Sequence, residues 1–373
     1  MKIYAKLFAA LNLGDDLFLK ILLERYPNVR FTLPAPEIYQ EIFKDYNNLV
    51  IVKNTLNIPK NIFQKILNVL ERNLLPKRYK IKLQLKIEEI FNKRNSDYDA
   101  FVSIGGSIFM QPQKLPAYTD IEYYKIVNKK FNNVFFIGCN FGPYTDDSYR
   151  ENYTTIFNNA TDVCFREKES YELFNHLKNI RSCPDIVFGL NYRDIKIEPN
   201  TVGFSIITAR NTTDKKSYIR KYTELIEYYQ NKNYKIYLFS FCKMQGDEDI
   251  IQEITGNLKH QRNVNKVFYI GDINTFLDSY AAVEKMFCGR FHAMILSMIF
   301  NQKIYPVIYS KKMTNVLNDI NYKGKTIPIE EFYKIDPNIV YKEIDNNYYN
   351  IELQRKESVK QFKMIDLFMR INS

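Results

Sequence analysis

Along the chain, short runs of β-branched and aromatic residues alternate with longer stretches whose apolar positions recur every three to four residues. In the first half the runs predict strands at 2–8, 29–33, 49–52, 100–104, 134–137, 163–166 and 185–188. Helical spacing is clear at 15–25 and 62–74 and weaker at 119–130 and 170–177. Strands that alternate with helices predict a parallel sheet covered by crossover helices. The segment 191–201 is polar, carries Pro199-Asn200 and breaks the alternation, so it reads as a linker. Beyond it the pattern restarts, with strands near 202–208, 235–240, 266–270, 285–288 and 303–308. Helices near 217–231, 248–257, 275–279 and 293–300 lie between them, and an amphipathic helical tail covers 351–371. The fold class expected is α/β: two Rossmann-like domains facing a cleft, at 1–190 and 202–335, with a tail at 336–373 that braces the N-terminal domain.

Length agrees with this division, because 373 residues exceed what one core supports. With 29 Tyr, 27 Phe and no Trp, the cores are expected to be built on phenyl and phenol rings. The formal net charge of +11 changes the picture more, since it attracts anionic partners. Its densest part is 76–86, where Lys77, Arg78, Lys80, Lys82 and Lys86 are interleaved with Tyr79, Ile81, Leu83 and Leu85. That stretch reads as a solvated connecting segment, or as a peripheral contact with an anionic membrane face. No pattern of a nucleic-acid-binding module accompanies the charge, so nucleic acid is not expected as a partner. Five scattered cysteines without a C-x-x-C pair argue against a disulfide framework or zinc site. They read as small buried hydrophobes of a reducing compartment. The first residues lack the pattern of a signal peptide, and no apolar run reaches the ~18 residues of a spanning helix. The expected location is cytoplasmic, with room for a peripheral position at the inner face of the membrane.

Chemistry concentrates at the expected strand ends. Cys288-Gly289-Arg290-Phe291-His292-Ala293 places a guanidinium and one of only three imidazoles where a strand gives way to a helix. Loops and helix N-termini at such ends present N–H groups to ligands. Arg290 suits a carboxylate or phosphate, and His292 can move a proton near neutral pH. Asn12-Leu13-Gly14-Asp15-Asp16 is a strand-to-helix turn in which the aspartates can cap the helix, or a ligand-facing loop. Gly105-Gly106-Ser107 is a tight turn or an anion cradle, and Gly138–Pro143 is a similar loop. Arg166 ends another strand, as a surface partner of Glu167 or Glu169 or as a ligand group; Pro184-Asp185 reads as a turn. Gly246-Asp247-Glu248-Asp249 opens a helix, where acidic residues favour the dipole. Tyr309-Ser310-Lys311-Lys312 adds ammonium groups after the strand at 303–308.

Taken in order, these elements resemble the polysaccharide pyruvyl transferase family: Asn12-x-Gly14-Asp15, Gly105-Gly106-Ser107, Gly142-Pro143, Phe165-Arg166-Glu167 with Ser170, Pro184-Asp185, Gly271-Asp272, Gly289-Arg290-Phe291-His292-Ala293 and Tyr309-x-x-Lys312. The R-F-H-A element with the later Y-x-x-K is the specific part. The resemblance implies a GT-B-like architecture. It also implies an enzyme that moves the pyruvyl unit of phosphoenolpyruvate onto sugar hydroxyls of a lipid-linked or polymeric acceptor, leaving a ketal and phosphate. It further implies His292 and Arg290 as catalytic residues. Arg166, Lys312, Asn12, Gly14, Asp15, Gly105, Gly106 and Ser107 are then substrate-binding, with no metal and no cofactor beyond phosphoenolpyruvate as co-substrate. A nucleotide-sugar glycosyltransferase of the same architecture is the alternative, and a non-catalytic scaffold of a glycan assembly system is a third reading.

Overall fold

A computed structural model describes residues 1–53, 75–93, 98–112, 118–208 and 215–371. The helix expected at 62–74 lies outside them. The chain forms two compact units, one of Met1–Phe8, Leu22–Cys183 and Gln361–Ser373, the other of Ala9–Ile21 and Pro184–Lys360.

The first unit is built on seven strands: β1 (Lys2–Lys6), β2 (Arg30–Pro34), β3 (Leu49–Val52), β4 (Ala100–Ile104), β5 (Val134–Cys139), β6 (Asp162–Phe165) and β7 (Ile180–Ser182). They pair in the order β3-β2-β1-β4-β5-β6-β7, all parallel. Strand β4 is buried along its whole length, which explains why it reads as a continuous apolar run. On one face a ring-rich core gathers Tyr4, Phe101, Phe109, Tyr124, Phe136, Tyr153 and Phe157. Neighbouring rings meet edge-on, as Phe109 does with Tyr153 and Phe157 at 5.0 and 5.1 Å. Within this unit Gln361 ties strand ends together: Gly138 N donates to its Oε1 at 2.9 Å, and its Nε2 donates to Phe165 O and Cys183 O.

In the second unit, β8 (Glu198–Ser205), β9 (Lys235–Ser240), β10 (Val264–Phe268), β11 (Val283–Cys288), β12 (Lys303–Ile308) and β13 (Ile327–Pro328) pair in the order β10-β9-β8-β11-β12-β13, again parallel. Phe204 and Phe287 stack across β8 and β11 with centroids 4.8 Å apart, at the centre of a core with Tyr222, Tyr229 and Phe332. In both sheets the direction of winding reverses next to the first strand of the unit, between β1 and β4 and between β8 and β11. Ligands of open α/β sheets bind outside the carboxyl ends of the strands at this reversal.

Several expectations need correction. The strand expected at 185–188 is a 3₁₀ turn, Ile186–Gly189, because the Asp185 side chain accepts from Val187 N and caps it. The basic stretch at 76–86 is the start of a helix, Pro76–Lys93, with Leu83 and Ile87 in the first core. Lys80 reaches buried Glu122 at 2.9 Å, so part of the positive charge serves packing. Strand β8 begins at Glu198, so residues 198–201 of the expected linker are strand. The helix Asp147–Asn158 was not among those expected, and the helix after β11 starts at Phe291 rather than Ala293.

Candidate functional site

The reversal point of the second sheet carries the densest chemistry. Gly289 passes so close to β8 that an added Cβ would lie 2.5 Å from Ser205 O. Gly289 N donates to Ser205 O at 2.9 Å and to Ser205 Oγ at 3.0 Å, and Arg290 N reaches the same hydroxyl at 3.3 Å. This anchorage makes Arg290 the N-cap residue of the helix Phe291–Ile299 and puts His292 in its first turn.

The Arg290 guanidinium is buried and is held in a fork. Nε donates to Asp247 Oδ2 at 3.1 Å, Nη2 donates to Asp247 Oδ1, and Nη1 donates to Gln245 Oε1. Asp247 Oδ2 also accepts from Phe241 N and Cys242 N, both at 3.1 Å. Burial pushes the Asp247 carboxyl above its ordinary range, while Arg290 and the two N–H groups pull it back towards the ionised form. Three of the five guanidinium N–H donors are thus committed within the unit. The sequence offered Asp247 only as an acidic residue at a helix start; its pairing with Arg290 was missed.

His292 is enclosed on several sides. An added Cβ at Gly14 would lie 1.8 Å from His292 Nδ1, so the missing side chain at position 14 is the space the imidazole occupies. The rings of Phe18 and Phe291 meet it edge-on, with centroids 5.3 and 5.2 Å away. On the other side Asp185 Oδ2 stands 3.8 Å from Nε2, an ion pair when the ring is protonated. Lys312 completes the row, with Nζ over the rings of Phe291 and Tyr309 at 5.1 and 5.4 Å. Lys311 opens the helix Lys311–Asp319 and is exposed.

The turn at Gly14 is capped by Asn12, which accepts from Gly14 N through Oδ1 at 3.2 Å and from Asp16 N through its carbonyl at 2.9 Å. Asn12 thus caps this turn, with Asp15 and Asp16 in the first turn of the helix. Asp16 accepts from the Tyr269 hydroxyl at 2.7 Å, and Asp15 is buried beside it.

A separate cluster forms in the first unit at the ends of β4, β5 and β6. Arg166 Nη2 donates to Asn140 Oδ1 at 2.6 Å and to Ser107 Oγ at 3.3 Å, and Ser107 Oγ donates to Asn140 Oδ1 at 3.0 Å. Gly106 is the contact surface: a Cβ there would lie 2.5 Å from Arg166 Nη1. Gly105, with φ of 150°, turns the chain before it. Asn140 was not proposed from the sequence, although it lies in the Gly138–Pro143 loop. Glu167 Oε1 binds the Ser170 hydroxyl at 2.7 Å, not Arg166. Among the described residues, no group of His, Cys, Asp and Glu is arranged to hold a metal ion. The five cysteines are thiols, four buried and Cys183 half-buried; burial pushes Cys288, beside the site, up to about 12.

This architecture is found in solved structures. The chain aligns with UDP-GlcNAc 2-epimerase from Methanocaldococcus jannaschii at a TM-score of 0.61 and 9% identity, covering 98% of this chain and 100% of that one. The corresponding enzyme from Neisseria meningitidis, solved with UDP-GlcNAc, gives 0.60, 8%, 99% and 100%. A glycosyltransferase from Rickettsia africae gives 0.50, 12%, 98% and 98%. No curated protein matches the chain in sequence. Two parallel-sheet α/β units in one chain, shared with these enzymes, define the GT-B fold. The sequence model of the polysaccharide pyruvyl transferase family matches residues 12–311, and the chain belongs to that family of enzymes.

Proposed function

We propose that this enzyme transfers the pyruvyl group of phosphoenolpyruvate to two hydroxyls of a sugar. The observation that carries the reading is the Gly289–Ala293 segment at the reversal point of the second sheet, within a chain of this family. The reaction has definite needs. The methylene carbon of phosphoenolpyruvate takes a proton, and a sugar hydroxyl attacks C2, losing its own. The C–O bond to phosphate breaks, and a second hydroxyl closes the ketal as its proton leaves with inorganic phosphate. His292 is the group suited to moving one of these protons. Arg290, steadied by Asp247, and Lys312 supply positive charge for carboxylate and phosphate. Arg166, on Asn140 and Ser107, is a further cationic group for an anionic part of the substrates.

The acceptor in this reading is a polymeric or lipid-linked sugar, which would bring the enzyme to an anionic membrane face. The helix Pro76–Lys93 suits such a contact, since Ile81 and Leu85 are 58% and 62% exposed among Lys77, Arg78, Lys82 and Lys86. No described helix is long and apolar enough to cross a membrane. Phosphate release from phosphoenolpyruvate, measured across a panel of lipid-linked and nucleotide-linked sugars with the product weighed for a pyruvate ketal, tests the activity. Acceptor-dependent release with ketal formation is expected. Turnover of nucleotide sugars with phosphoenolpyruvate inert would overturn it. Sedimentation with vesicles containing phosphatidylserine, at low and high salt, tests the contact; binding equal to that on neutral vesicles would sink it.

A further inference from the structure

Asp185 lies in a dipeptide, Pro184-Asp185, that reads as a turn and was given no chemical role. Its carboxylate is almost fully buried and does two things at once. Oδ1 accepts from Val187 N at 2.8 Å, which fixes the side chain as the cap of Ile186–Gly189. Oδ2 then faces His292 Nε2 at 3.8 Å. We propose that Asp185 is a positioning residue for His292, its capped carboxylate favouring a proton on Nε2 while the bare turn at Gly14 receives the Nδ1 side of the ring.

Three observations support this. A carboxylate held by a backbone N–H cannot swing away, so its charge and direction are set before substrate arrives. The opposite edge of the imidazole is fixed independently, because only glycine leaves room for it at position 14. The edge-on rings of Phe18 and Phe291 restrict the ring plane between these two limits. The other charges around the ring are disposed differently. Arg290 is turned onto Asp247, Lys312 lies over Phe291, and Asp16, in the first turn of Leu13–Arg25 beside Asp15, is bonded to Tyr269. Asp185 is a buried carboxylate paired with the imidazole. A nearby fixed anion raises the proton affinity of an imidazole and selects its tautomer.

The inference rests on the reading of His292 as the proton-moving group, and its test separates the two. The chain has three histidines, and His176 and His260 are exposed, so substituting each assigns the imidazole signals in an NMR titration. Asp185→Asn removes the charge and keeps a competent cap, as Asn and Asp cap equally well. It is expected to lower the His292 proton affinity about tenfold, leave the other two histidines unchanged and move the pH profile of kcat the same way. If the variant does not fold, Asp185→Ser retains a cap and carries the same expectation. An unchanged His292 titration in a folded variant overturns the proposal whatever the turnover. A shifted titration in a protein that never turns over phosphoenolpyruvate leaves the pair standing and removes the functional reading instead.

Discussion

At the scale of single residues, charges that the sequence offers as ligand groups are also structural. Arg290 neutralises a fully buried Asp247, so Arg290→Ala strands that carboxylate. The expected cost is about 3–5 kcal/mol, readable in a denaturant midpoint. The double variant Arg290→Gln/Asp247→Asn should recover most of that stability and none of the turnover. Turnover that returned with stability would show that Arg290 acts only in folding. Gly14→Ala should depress phosphate release at least tenfold with a smaller loss of thermal stability, because the new methyl displaces the His292 ring rather than a backbone atom. Such partnerships mark where the sequence stopped being legible. Arg290, His292, Arg166 and Lys312 stood out by residue type and strand-end position. Asp185, Asp247 and Asn140 did not, because each acquires its role from a residue distant in the chain.

At the scale of elements, buried parallel strands were legible because they must be apolar on both faces, as β4 and β5 are. The same rule misled at Ile186-Val187-Phe188, an apolar run too short for periodicity to separate strand from turn. The helix Asp147–Asn158, by contrast, was legible in principle and was missed: its buried Tyr149, Tyr153, Ile156 and Phe157 recur at helical spacing. Caps decide other boundaries. Asp272 accepts from Thr275 N at 3.0 Å and Thr275 Oγ1 at 2.6 Å, and these bonds hold its carboxyl below the usual carboxylate range. A lowered folded value means the cap's charge stabilises above the unfolded pKa of about 3.9 and is lost as pH falls through the folded one. Asp272→Ala should therefore cost about 1 kcal/mol at neutral pH, and melts of the two proteins should converge in acid. Gly289→Ala drives a methyl into the Ser205 carbonyl and should destabilise by about 1–3 kcal/mol, since a backbone oxygen cannot rotate aside.

At the scale of the whole molecule, class and family were legible because both follow from repetition and order rather than from fine geometry. Two rounds of strand–helix alternation gave the two sheets, and motifs in a fixed order gave the family. The surplus of cations bears on one more expectation. In the proposed reading Arg290 and Lys312 carry the charge of phosphoenolpyruvate, so turnover should survive exhaustive chelation, assayed as phosphate release with and without EDTA; a loss restored by a divalent ion would refute this. The turn around Gly14 also has a temporal meaning. It clusters with the second unit, yet it is made well before the His292 it accommodates. At ordinary synthesis rates of about 5–20 residues per second, roughly 15–55 s separate the two on the ribosome. For that interval Ala9–Ile21 emerges without the surface it will cover, so a fragment ending before residue 292 should leave this segment open to proteases or chaperones.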